Sequence, residues 1–68
     1  METLSRNIEM LRLKRFMTQE ELAKRIGVTQ GTISQYEKGI IIPKIDTAVR
    51  LAAALGTTCE ALMGSTEK

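Results

Sequence analysis

Gln19 to Lys38, QEELAKRIGVTQGTISQYEK, reads as two short helices crossing at a tight turn. Leu22, Ile26, Val28, Ile33 and Tyr36 fall where the two helices need a shared core. Ala23 has almost no side chain, which lets the second helix cross close to the first. Gly27 makes the turn, because a helix end commonly takes a left-handed residue and glycine adopts that conformation without a Cβ penalty. A bulky β-branched residue at Ala23 or Gly27 is expected to prevent the crossing.

The local signals around this window are consistent with it. Thr18-Gln-Glu-Glu21 is a capping box, Met17 precedes it, and Leu22 sits where a hydrophobic staple would close. Thr29 is the expected N-cap of the next helix, Gln30 to Lys38, closed by Gly39. Upstream, Leu4, Ile8 and Leu11 mark a first helix from about Leu4 to Arg15, with Thr3 or Ser5 as caps. Downstream, Pro43 punctuates a loop, and Ile45, Ala48, Leu51, Ala52 and Leu55 form the buried stripe of a fourth helix stopped by Gly56. A last helix, Cys59 to Met63, is capped by Thr58 and ends at Gly64. Only Ile40-Ile41-Ile42 hints at extended structure. The expectation is an all-α, compact five-helix bundle forming one domain over residues 1–64, with 65–68 a flexible polar tail.

Composition narrows the function. Domains of roughly 60 residues bury only about 60% of the surface their unfolded chains expose, so 68 residues make one marginal domain or one completed by a partner. The single cysteine, Cys59, cannot close an internal disulfide, and the absence of histidine removes the usual ligands of a zinc site. No metal or other cofactor is expected, and no small-molecule ligand. No window approaches the ~18 apolar residues of a spanning helix, and the N-terminus lacks the pattern of a signal peptide, so a cytoplasmic, reducing setting is expected. General acid–base and nucleophilic chemistry most often rest on histidine, which argues for binding rather than catalysis. The net charge of +2 is weakly basic, but residues 1–44 carry eight Lys/Arg against five acids, while 45–68 carry two against three. That asymmetry is compatible with a polyanionic partner.

The window resembles the helix-turn-helix of the Cro/repressor (XRE) family of prokaryotic and phage transcription regulators. The resemblance runs from Leu4 to Met63: TQEELA opening the second helix, GVTQ through the turn, YEKG ending the third, a Gly39-x-x-x-Pro43 loop, and LAAALGTTCEAL closing the domain. The opening METLSRNIEMLRLKRFMTQEELA looks much like small phage Cro proteins. It implies a lambda-repressor-like fold and a sequence-specific, double-stranded DNA-binding regulator, most simply a repressor, that occupies a pseudo-palindromic operator as a homodimer. The alternative on the same fold is a protein-interaction module such as an antitoxin or bridging factor.

By this resemblance the third helix enters the major groove N-terminus first. Its outward face carries Gln30, Gly31, Ser34, Gln35 and Lys38, with Thr32 near the leading end. Gln can pair bidentately with adenine, and the Thr methyl can meet the thymine methyl, so Gln30, Gln35, Thr32 and Ser34 are the expected base contacts. Gln19, Thr29, Lys38, Lys44 and Arg12 are the expected phosphate contacts, helped by helix N-termini that favour anions. Lys14, Lys24 and Arg25 read as ordinary solvated charges. Ala23, Gly27, Val28, Ile33 and Glu37 carry the motif structurally, and the family pairs an Arg like Arg12 with an acid like Glu37 in a partly buried salt bridge.

Two departures stand out. Gly31 replaces a residue that in relatives often reads a base, so either the backbone approaches the groove floor there or one base pair goes unread. Ile40-Ile41-Ile42 replaces a loop that is usually basic or polar. Three consecutive β-branched residues cannot all point inward, so one or two plug the core beneath the fourth helix, or the loop is a dimer or partner surface. The resemblance places the dimer interface at Thr57, Thr58, Leu62 and Met63, with Cys59 nearby.

Overall fold

The capping chemistry around Thr18 sets the first well-defined boundary of the fold. In the computed structural model, which describes residues 2–64, the Thr18 hydroxyl accepts from Glu21 N and the Glu21 carboxylate accepts from Thr18 N. The described residues form five helices: α1 Glu2–Lys14, α2 Gln19–Ile26, α3 Gln30–Glu37, α4 Ile45–Leu55 and α5 Cys59–Met63. The tail expected at 65–68 lies outside the described residues. Thr29 and Thr58 cap α3 and α5 in the same way as Thr18 caps α2, each hydroxyl accepting from the backbone N–H three residues on.

α1 begins earlier than its apolar pattern implies. Thr3 and Ser5, expected as caps, are inside the helix, and Ser5 is buried. Its end is also shorter, since Arg15 belongs to the turn into α2 and Phe16 adopts a left-handed φ of 57°. α3 stops at Glu37, with Lys38 as its C-cap.

One core unites all five helices. Leu4, Ile8, Leu22, Ile26, Ile33, Leu51, Leu55 and Leu62 are its largest fully buried side chains, and Met17, Ala23, Tyr36 and Ala52 complete it. Fully burying one such aliphatic side chain contributes roughly 1.5–3 kcal/mol. Leu11, Val28, Cys59 and Met63 pack at its edge.

Side chains from distant helices close the C-terminal ends. Arg50 Nη1 donates to Ile26 O at 3.0 Å, Arg15 Nε to Leu55 O at 2.9 Å, and Asn7 Nδ2 to Leu62 O at 2.9 Å. Each satisfies a carbonyl that a helix end leaves open, and the two guanidinium groups also complement the negative end of the dipole. Gly27 and Gly56 provide the left-handed exits, with φ of 77° and 72°. At Gly56 a Cβ would also collide with the Arg15 guanidinium.

Two expectations about packing are corrected. Ile45 does not join the α4 stripe; it is 81% exposed. Side chains lean toward the helix N-terminus, so a residue in the first position points off the leading end rather than onto the core. None of Ile40, Ile41 and Ile42 plugs the core: all three are exposed, and the neighbouring Pro43 is buried in their place.

Candidate nucleic-acid interface

α2 and α3 pack as the Ala23 and Gly27 positions require. Ala23 and Ile33 are buried, and Val28 N donates to Ala23 O at 3.0 Å, which folds the turn back onto α2. The crossing leaves one face of α3 pointing away from the core. Gln30, Gly31 and Gln35 are exposed on it, and Thr32 and Ser34 are half-buried. A Cβ built on Gly31 would meet only the Thr29 hydroxyl at 3.9 Å, so the surface there is open.

A chain of hydrogen bonds links this face to the interior. Arg12 Nε donates to Glu37 Oε2 at 2.7 Å and Nη2 to Oε1 at 3.2 Å, forming a two-pronged ion pair. Arg12 Nη1 donates to Met17 O at 2.8 Å, so the guanidinium also holds the turn between α1 and α2. Gln19 Nε2 donates to Glu37 Oε1 at 2.9 Å, and Gln19 Oε1 accepts from Gln30 Nε2 at 3.3 Å. Glu37 is thus satisfied by two donors' side chains, as a nearly buried carboxylate requires. The amide of Gln30, the outermost link, is oriented from behind while its carbonyl oxygen and second N–H remain free to face outward.

Arg12, one of the expected phosphate contacts, has a buried side chain whose three nitrogens donate to Glu37 and Met17, so it braces the site from the core side. Gln19 has a second role that sequence reasoning missed, since it joins Glu37 to Gln30. Their separations of 18 and 11 residues carry no periodic signal, but Gln at the first position of consecutive helices that cross is a pattern that could have pointed to it.

The helix N-termini frame the same surface. The Thr29 hydroxyl accepts from Thr32 N at 3.2 Å and shares a hydrogen bond with the Thr32 hydroxyl at 2.9 Å, leaving the Gln30 and Gly31 amides at the exposed end of α3. Lys44 occupies the N-cap of α4 without a capping hydrogen bond from its side chain, so this helix start combines a positive dipole end with an ammonium group. Lys38 and Lys44 are exposed on either side of the isoleucine loop.

The expected dimer residues divide. Thr58 is exposed, Thr57 and Met63 are half-buried, and Leu62 is corrected: it is wholly buried in the domain's own core. A five-residue helix has one apolar side, and α5 uses it against α1 and α4.

The helix-turn-helix family model matches residues 8–62. The cryptic phage CTXphi transcriptional repressor RstR of Vibrio cholerae is 40% identical over 63 residues, 93% of this chain and 57% of that protein. An uncharacterized HTH-type transcriptional regulator of Methanothermobacter thermautotrophicus is 55% identical over 40 residues, covering 59% of this chain and 58% of the relative. This chain therefore spans less than three fifths of the length of either relative. Among solved structures, the P22 c2 repressor in complex with a synthetic operator superposes with a TM-score of 0.86 at 27% identity, covering 91% of this chain and 94% of that one.

Proposed function

Because the chain belongs to the helix-turn-helix family, as the match over residues 8–62 establishes, we propose that it is a sequence-specific, double-stranded DNA-binding transcription regulator, acting as a repressor and binding a pseudo-palindromic operator as a dimer. The observation that carries this reading is the Arg12–Glu37–Gln19–Gln30 chain, which fixes an amide at the exposed start of α3. The hydrogen bond to Gln19 biases the Gln30 amide toward one orientation, which lowers the freedom it loses when it pairs with an adenine edge. Thr32, Ser34 and Gln35 follow on the same helix as further base contacts. The amides at the starts of α2, α3 and α4, with Gln19, Thr29, Lys38 and Lys44, hold phosphates. A DNA-bound relative of matching fold, the P22 c2 repressor, supports the assignment. One domain of this size contacts few base pairs, so two copies on half-sites about 34–36 Å apart supply the required specificity.

The exposed Ile40-Ile41-Ile42 loop favours a second reading, a module whose main partner is another protein. Salt separates the two. Affinity for duplex DNA should fall linearly in log–log form with salt, with a slope of about −0.9 per phosphate neutralised. Binding insensitive to salt, or no binding to any duplex at low salt, contradicts the DNA reading.

A further inference from the structure

We infer that Gln30 makes the interface sensitive to N6-methylation of adenine, so that a half-site bound in its unmodified form is bound less tightly once its adenine carries a methyl group on N6. The inference rests on the DNA reading above and adds to it a chemical state of the operator that the protein distinguishes. It follows from the polarity of the bracing chain. The Glu37 carboxylate, paired with Arg12 Nε at 2.7 Å, can only accept. Gln19 accordingly turns its Nε2 toward Glu37, at 2.9 Å, which leaves its Oε1 facing α3. That oxygen in turn accepts from Gln30 Nε2 at 3.3 Å. Each link biases the next amide toward one orientation, and the groups Gln30 has left to offer are one acceptor, Oε1, and one donor, the second N–H of Nε2.

An adenine edge in the major groove presents the complement, a donor at N6 and an acceptor at N7. Only one N6–H of a paired adenine faces the groove, because the other pairs with thymine. N6-methylated adenine keeps that pair by placing its methyl group in the groove, where the N–H stood. The Gln30 carbonyl oxygen then meets a methyl carbon, loses its donor and is covered without gaining another. Turning the amide over does not rescue the contact. It would set the Gln30 oxygen against two acceptors, Gln19 Oε1 and adenine N7, in place of two hydrogen bonds. The other polar groups of this face are not fixed in the same way. The Ser34 hydroxyl rotates to donate or accept, and Gln35, exposed on the same helix, makes no side-chain hydrogen bond among the described residues, so its amide is free to turn.

The test uses the duplex that the parent protein enriches from an unmethylated random pool, resynthesised with N6-methyladenine at one symmetric pair of half-site adenines at a time. At one such pair the affinity of the parent should fall about tenfold or more. At that pair Gln30→Ala should bind the methylated and unmethylated duplexes within about threefold of each other. Gln19→Ala, in which the Gln30 amide is free to turn, should show a penalty between those of the parent and Gln30→Ala. Enrichment of a duplex with no adenine pair that meets the first criterion overturns the inference and leaves DNA binding standing. A larger penalty retained in Gln30→Ala assigns the effect to another residue and also overturns it, and an undiminished penalty in Gln19→Ala overturns the part given to the chain. Failure to enrich any duplex at low salt overturns the DNA reading and this inference together.

Discussion

The side-chain amide of Gln19 donates to Glu37 across 2.9 Å, tying the first residue of α2 to the last residue of α3. The same amide accepts from Gln30, so a contact that stabilises the crossing also aims the residue at the front of the exposed helix. Both contacts converge on Glu37, which Arg12 neutralises from the core side.

Removing one member of the ion pair should be costly. Arg12→Met leaves the Glu37 carboxylate nearly buried with only Gln19 as a side-chain donor, and the loss of stability should be about 3–5 kcal/mol. Replacing both residues with apolar side chains, Arg12→Met with Glu37→Leu, should cost less than Arg12→Met alone, because no uncompensated charge remains. Urea denaturation of the two single variants and the double variant measures the coupling.

Gln30→Ala should remove about 1–3 kcal/mol of discrimination at one base pair in each half-site while leaving the other positions intact. Gln19→Ala should relax the same position by a smaller amount, through loss of orientation. The two should be non-additive, since the second change has nothing left to orient. Binding to single-base variants of a selected duplex reads this directly.

Phe16 combines a left-handed backbone with 93% exposure of an aromatic side chain. A non-glycine residue in that conformation costs roughly 1–2 kcal/mol, and here no burial offsets it. Phe16→Gly should stabilise the domain by about 1 kcal/mol once the added freedom of the unfolded chain is counted. Thermal unfolding should show a rise of about 4–8 °C per kcal/mol for a domain of this size.

Gly31→Ala should raise stability by about 0.4–1 kcal/mol, because the backbone is helical and the space beside it is open. Paired measurements of unfolding and DNA affinity distinguish the two roles for this glycine. A fall in affinity with the gain in stability identifies close backbone approach to the groove; unchanged affinity identifies a base pair that goes unread.

Local chemistry was the legible part of this fold. The Thr18–Glu21 box, the Thr29 and Thr58 caps and the Gly27 turn are decided within a few residues, and each stands in the structure where its residues imply. Periodicity was legible along the body of a helix but not at its ends. It assigned Ile45 to the core because the spacing fits, whereas the outcome depends on the direction of a side chain in the first turn. Leu62 illustrates the opposite limit: which side of a five-residue helix is buried depends on what remains to be covered by α1 and α4. The bracing of the site was least legible. Arg12 meets Glu37 and Met17 O, and Gln19 meets Glu37 and Gln30, only because three helices converge.

Selection of bound duplexes from a random DNA pool, carried out in parallel for the parent and Gln30→Ala, tests base reading by α3 most directly. The predicted result is an inverted repeat with half-sites about one helical turn apart, and loss of preference at one symmetric pair of positions in the variant. No enrichment at low salt, or the same preferences from both proteins, would contradict it.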